Sequence, residues 1–267
     1  MIAIADFFGY ELPYPERLRL IARAGFGGVL LWYGDDFGEV FRNEDRPGQA
    51  RACGLRIENI HVPFDEVNHI WEDTPDGQRV FEGYLNCLED CARFEIPTVV
   101  MHADRGRSPP PVSELGLERW AAMIRHAEDL GVNIAIENLR TAQQIDRAQL
   151  LLERSDSPRF GFCYDSGHWN ARYKDFDWLT RWPHRLMALH LHDNHGGETP
   201  NHDDQHLLPF DGTTDWPAQM RAIAATGYQG PVALEIARKV GYKLCRREKF
   251  LARAYDRAVK LEELRHA

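Results

Sequence analysis

VNIAIENLRTAQQIDRAQLLLERSDSPRFGFCYDSGH, residues 132–168, holds two short apolar runs on either side of a longer amphipathic one. The runs VNIAIEN (132–138) and RFGFCYD (159–165) are too apolar to leave a wet face, so each reads as a strand covered on both sides. AQQIDRAQLLLERS (142–155) between them is too long for a strand and has helical spacing. Strand, helix, strand is the repeating unit of a parallel sheet. Each of the two strands also delivers a carboxylate at its end, Glu137 and Asp165.

The same alternation extends in both directions. Upstream, IAIAD (2–6), GGVLLW (27–32), LRIENIH (55–61) and PTVVMH (97–102) read as strands. Helices are expected over 15–25, in a segment ending near Cys53-Gly54, over 77–94 and over 113–131, where Leu117, Trp120, Ala121 and Ile124 share one face before a terminal glycine. Downstream come a short helical stretch near Trp178, a strand LMALHLHD (186–193), a helix over 215–227, a strand PVALEI (231–236) and a closing helix from Tyr242. Eight apolar strands, each followed by helical material, predict an α/β fold of one kind, a single (β/α)8 TIM barrel spanning residues 1–267. A doubly wound open sheet is disfavoured because no GxGxxG turn follows the first strand.

Composition agrees and narrows the function classes. The 267 residues match the usual length of one such barrel, and 43% hydrophobic content supplies a core. No run approaches the roughly 20 apolar residues that span a bilayer, so no membrane partner is expected. The five cysteines are scattered without a CxxC pair, which argues against a disulfide framework or a thiolate metal site and makes the cytoplasm the expected location. A net charge of −9 disfavours nucleic acid as a partner without removing room for a local basic groove. Association into a homo-oligomer is left open.

In a parallel barrel the C-terminal strand ends form the active face. Here strands three to eight end in His61, His102, Glu137, Asp165, His190 and Glu235. Three carboxylates converging in a low-dielectric mouth repel one another unless cations lie between them, so bound divalent metal is the economical explanation. Nitrogen and carboxylate donors without thiolate suit Zn, Mn, Fe or Co, with Mg admitted where carboxylates dominate. His168 lies three residues after Asp165 and is expected to fold back from the loop beyond strand six. Asp204 and His206, one residue apart in an extended segment, point the same way. His192, His195 and His202 lack such support and are expected to stand behind the ligands or face solvent.

These motifs, HVPF at 61, VMHAD at 100, IAIENL at 134, CYDSGH at 163, HLHD at 190, DQHLLPFDG at 204 and ALEI at 233, resemble those of the xylose isomerase-like TIM-barrel superfamily. That superfamily includes sugar isomerases, ketose epimerases and the endonuclease IV enzymes of AP endonuclease family 2. The resemblance implies a single-metal site of Glu137, Asp165, His190 and Glu235 in the epimerase pattern, with His168 close by. In the endonuclease IV pattern His61, His102, His168, Asp204 and His206 join them as ligands of a three-metal cluster. One to three ions per chain are therefore implied.

Two chemistries compete. An isomerase or epimerase would use Glu137 and Glu235, with His168 beside them, to exchange a carbon-bound proton of a metal-held sugar. A phosphodiesterase would use clustered metals to activate water. The loops WYGDDFGEV (32–40) and DEVNHIWEDTPDG (65–77) are acidic where a DNA backbone would need Lys and Arg, which favours a small carbohydrate. Trp32 and Trp71 are candidates for stacking on a sugar ring, and Arg105, Arg140, Arg238 and Lys239 for binding a phosphate or other polar group. The expectation is a metal-dependent sugar or sugar-phosphate isomerase or epimerase. An endonuclease IV-like hydrolase is the alternative, and a non-catalytic metal- or sugar-binding barrel ranks below both.

Overall fold

Parallel strands follow one another in sequence order around the molecule. A computed structural model describes residues 1–34, 45–171, 174, 176–197, 204–238, 242 and 244–267. The strands are β1 (Ile2–Ala5), β2 (Gly28–Trp32), β3 (Arg56–His61), β4 (Thr98–Met101), β5 (Asn133–Glu137), β6 (Phe160–Asp165), β7 (Leu186–His190) and β8 (Val232–Leu234). Each pairs with the next from β1 to β7, and β8 pairs with β1. A bridge from Leu191 to Leu234 brings the two ends of the sheet together into a nearly closed barrel.

The helices on the outside are α1 (Tyr14–Arg23), α2 (Arg46–Ala52), α3 (Pro75–Arg93), α4 (Glu114–Leu130), α5 (Ala142–Glu153), α6 (Ser166–Ala171), α7 (Trp178–Arg181), α8 (Trp216–Ala225) and α9 (Arg247–His266). Their starts follow local chemistry. Thr74 and Ser113 accept hydrogen bonds from Gly77 N and Gly116 N, and Thr141 with Gln144 forms a reciprocal capping box before α5. Gly131 ends α4 at φ 71°, a left-handed turn that a side chain would strain. Leu117, Trp120 and Ile124 are buried against the sheet, as their spacing requires, while Ala121 is only half-buried.

Several boundaries differ from the sequence expectation, among them the closing helix, which begins at Arg247 and not at Tyr242. Strand seven stops at His190, not at 193, because Asp193 turns away to form an antiparallel bridge with Leu207. Strand eight stops at Leu234. The segment after β6 is a helix and not a loop: His168 N donates to Asp165 Oδ1 at 2.6 Å, so the last residue of β6 satisfies a free amide in the first turn of α6.

Strand periodicity decides what points into the mouth. Val100, Ala135, Cys163 and Ala188 pack together as a small apolar cluster on β4 to β7. Two residues further along each strand the same face presents His102, Glu137, Asp165 and His190. Small residues below therefore leave room for large polar ones above.

Candidate metal centre

At the C-terminal ends of the strands, Glu137 lies at the centre of a ring of imidazoles. Its Oε2 is 3.1 Å from His61 Nε2, 3.4 Å from His102 Nε2 and 3.4 Å from His190 Nδ1. Its Oε1 is 3.1 Å from His168 Nδ1. Glu235 Oε2 approaches from β8, 3.4 Å from the same His190 nitrogen. Asp204 Oδ1 lies 3.0 Å from His206 Nε2 and 3.7 Å from His168 Nε2. All of these except Glu235, Asp204 and His206 are buried.

Among the described residues three groups have ligand atoms close enough to share an ion: His61, His102 and Glu137; Glu137, Asp165, His190 and Glu235; and His192, His206 and Glu235, each within 4.8 Å. The main chain aims several of the histidines. Nδ1 of His61 donates to Val62 O at 2.6 Å, that of His206 to Glu235 O at 2.8 Å and that of His168 to Asn138 O at 2.9 Å. A carbonyl can only accept, so each Nδ1 carries the proton and each Nε2 is left facing the carboxylates. His190 Nδ1 has no hydrogen bond of its own among the described residues, although it is buried. Two donors about 2.1 Å from a common tetrahedral ion stand about 3.4 Å apart, the spacing found from His190 to Glu137 and Glu235. The donor set fits a divalent cation of the zinc or manganese type.

The electrostatics favour positive charge here. Burial opposes the charge on Glu137, yet His102 and His190 hold its carboxyl well below the usual range. Burial likewise opposes Asp165, which His168 and His192 hold low. His168 rises to about 10: burial works against its charge, and Asp165, Glu137 and Asp204 outweigh it. With protons as the only cations, Glu137 and Asp165 stay ionised and His168 and His190 are pushed towards the charged form, while burial lowers His102. Cys163, next to His190, is pushed up to about 12 by burial and stays a thiol.

The structure thus brings together all the sequence-predicted ligands, with two changes of detail. Asp204 and His206 converge through a left-handed turn at His206, φ 47°, and not along an extended segment. His192 is fully buried, its Nε2 3.1 Å from Asp165 and its ring stacked on His206 at 4.0 Å, so it orients two ligands at once. Strand β7 ends before His192, so alternation along a strand could not have placed it. His195 is bonded to Gln205 at 2.8 Å, away from the centre, and His202 lies outside the described residues.

The candidates for substrate contact divide. Trp32 stacks on His61 with centroids 5.3 Å apart and lines a cavity of about 490 Å³ beside the centre. Arg105 and Arg140 line a second cavity of about 340 Å³; Arg140 reaches Asp204 at 3.5 Å and Arg105 binds Asp65. Trp71 is not at the mouth: it is buried, bonds Ala103 O through Nε1 at 2.8 Å and lies under Arg147 at 4.5 Å. Its position is fixed by packing, since a Cβ on Gly116 would come within 2.2 Å of its ring. Arg238 lies over Tyr10 at 4.6 Å and lines neither cavity. Lys239 and most of the acidic stretch 32–40 fall outside the described residues.

Sequence reasoning missed Asp6, Asn59, Arg17 and Arg46, which line the larger cavity. Asp6 ends the first apolar run, and Asn59 shares the inward face with His61, so both carried the same signal as the ligands. The arginines sit on α1 and α2, where nothing in a single sequence separates them from surface charge.

A family model described as xylose isomerase-like TIM barrel matches residues 18–257. Protein y4fM of Sinorhizobium fredii is 38% identical, over 96% of this chain and 92% of that one. Among solved structures, D-psicose 3-epimerase from Clostridium cellulolyticum, determined with D-tagatose, superposes with a TM-score of 0.75 at 16% identity, covering 99% of both chains. The IolI protein with a bound zinc atom gives 0.77 at 17% identity, covering 97% of both. At these identities the structural likeness concerns the fold.

Proposed function

The chain belongs to the xylose isomerase-like TIM-barrel family, and from that premise we propose that it is a divalent-metal-dependent sugar isomerase or epimerase. One observation carries the reading: Glu137, Asp165, His190 and Glu235 offer ligand atoms within 4.8 Å of one another, and His190 and Glu235 also wall the larger cavity. The zinc reported in IolI and the sugar in the psicose 3-epimerase structure lend it support by analogy of fold.

A bound divalent ion would supply Lewis acidity to adjacent oxygens of an open-chain sugar. The protein supplies the rest. Glu235, less buried than Glu137 and lining both cavities, removes the carbon-bound proton, and Glu137 returns one from its own side. His168, 3.1 Å from Glu137, holds that carboxylate in place. Trp32 and the apolar wall of the cavity shield the exchanging proton from bulk water.

Exchange of solvent deuterium into sugar carbon, followed by NMR on metal-loaded protein, tests this. Incorporation that is lost in Glu235→Gln is the expected outcome. No exchange across ketoses, aldoses, their phosphates and the corresponding acids sinks the reading.

A second reading, an endonuclease IV-like phosphodiesterase, is favoured by the separate His61, His102 and Glu137 group and by the approach of Asp204 to His168 and His206. Metal-dependent nicking of an abasic-site duplex, abolished by Glu137→Gln, would establish it over the first.

A further inference from the structure

The larger cavity runs from the metal-ligating wall of His190, His206 and Glu235 to an end that none of the chemistry above uses. At that end two guanidinium groups sit against one aromatic ring: the Cζ atoms of Arg17 and Arg46 are 5.2 and 5.1 Å from the centroid of Tyr14. Arg17 also lies over Phe7 at 5.5 Å and donates from Nη1 to Asp6 O at 3.3 Å. Its Nε is buried and has no hydrogen-bond partner among the described residues. Asn59 is 2% exposed, and its Oδ1 is likewise unpartnered among them. Both residues line the cavity, so an unused donor and an unused acceptor lie in its wall next to the ligand groups.

Buried polar atoms without partners cost free energy unless something else satisfies them. Their types describe what would. An acceptor oxygen such as Asn59 Oδ1 suits a hydroxyl, and the planar guanidinium of Arg17, backed by Arg46, suits a carboxylate or phosphate oxygen pair. Trp32 and Phe7 provide apolar surface for the C–H face of a carbon chain. Among the described residues Asp6 is the only carboxylate lining this end, so the cationic groups there outnumber it.

We propose that this cavity selects sugars with an acidic terminus: Arg17 and Arg46 hold the terminal carboxylate or phosphate, Asn59 accepts from a chain hydroxyl, and the opposite end reaches the ligand groups. The proposal deepens the isomerase reading and rests on it for the identity of the reacting end. It places the anion site on the β1 side of the mouth, on Arg17 and Arg46, with Arg238 itself outside the cavity lining.

Calorimetry on metal-loaded protein with D-gluconate, D-glucose 6-phosphate and neutral D-sorbitol provides the test, independent of turnover. One of the two anions binds at least about 10-fold more tightly than sorbitol, the order of a charge-assisted hydrogen bond, and the tighter one identifies the terminus. Arg17→Gln and Arg46→Gln each remove that preference while leaving sorbitol affinity within about 2-fold, and Arg17→Lys restores part of it. Thermal midpoints show that the variants fold; should Arg17→Gln fail to, Asn59→Ala replaces it and weakens all three ligands alike. Equal affinity for the three ligands, or unchanged anion binding in both arginine variants, overturns the proposal. Anion selectivity without deuterium exchange on any sugar would leave this site standing and remove the isomerase reading instead.

Discussion

Replacing Asp193 with asparagine tests how the segment carrying Asp204 and His206 is held. Asp193 is buried, and both of its oxygens are fully engaged. Oδ1 accepts from Asn194 N at 2.9 Å, Thr214 N at 3.1 Å and Thr214 Oγ1 at 2.8 Å. Oδ2 accepts from Phe210 N at 3.0 Å and Trp216 Nε1 at 2.9 Å. Asparagine keeps the shape but turns one acceptor into a donor. Placed at Oδ2, the amide NH2 faces two donors; placed at Oδ1, it faces three, one of which, the hydroxyl, can rotate. At least two buried donors lose their partner either way, at about 1–3 kcal/mol each, or about 4 kcal/mol together. No side-chain rearrangement relieves this from the loop side, since a Cβ on Gly212 would lie 2.3 Å from Asp193 Oδ1, a measure of how closely the loop backbone already approaches. Urea denaturation followed by tryptophan fluorescence measures the change, and metal titration should show weaker binding where Asp204 and His206 contribute. A loss below about 1 kcal/mol would refute the claim that this carboxylate anchors the loop.

Arg147 and Asp104 form a buried pair at 3.2 Å with almost no exposure. Arg147→Met strands the carboxylate and should cost about 3–5 kcal/mol; because burial already raises Asp104, the loss in denaturation experiments should be larger at pH 8 than at pH 5. Burial lifts Asp6 from its ordinary 3.8 to about 6. A folded value above the unfolded one means stability of about 3 kcal/mol that is present below the unfolded value and lost as pH rises through 6. Asp6→Asn should therefore stabilise the protein at pH 8 and not at pH 4, and a pH-independent difference in thermal midpoint would contradict the assignment. Removing divalent metal with a chelator should lower the midpoint, and ions at a hundredfold excess over Kd should restore about 2.7 kcal/mol. Glu137→Gln should abolish that recovery.

How far the sequence could be read depended on which residues obey strand periodicity. Glu137, Asp165 and His190 were legible because each ends an apolar run and sits two positions beyond a small inward residue, Ala135, Cys163 or Ala188. Asp6 ends an apolar run but follows the bulky Ile4 by two positions, and Asn59 lies within β3 two positions beyond Ile57; neither belongs to the run of ligand-type strand ends from three to eight, so periodicity alone did not single them out. His192 and Asp193 could not be placed, since β7 ends at His190 and the path of the chain beyond it is set by contacts with residues 207–216. Trp71 shows the opposite failure. An aromatic in an acidic loop beside the mouth reads as a stacking surface, and only the three-dimensional meeting with Gly116 and Arg147 shows that it is packed inside.

The barrel is stitched at its last junction by little main chain. Between β7 and β8 the backbone bonds are Leu191 N to Ala233 O at 2.9 Å and Glu235 N to Leu191 O at 3.1 Å, around a single bridge. By contrast β4 with β5 and β5 with β6 share ladders of four residue pairs each. His190 and Glu235 stand on either side of this thin join, and the rigid wall of β5 and β6 holds Glu137 and Asp165 opposite. The ring of donors therefore has one half set on longer ladders and one half set on a short join. On the proposed reading, a change in ion radius or coordination would be taken up by opening or closing one seam, with the strands that carry the remaining carboxylates left in place.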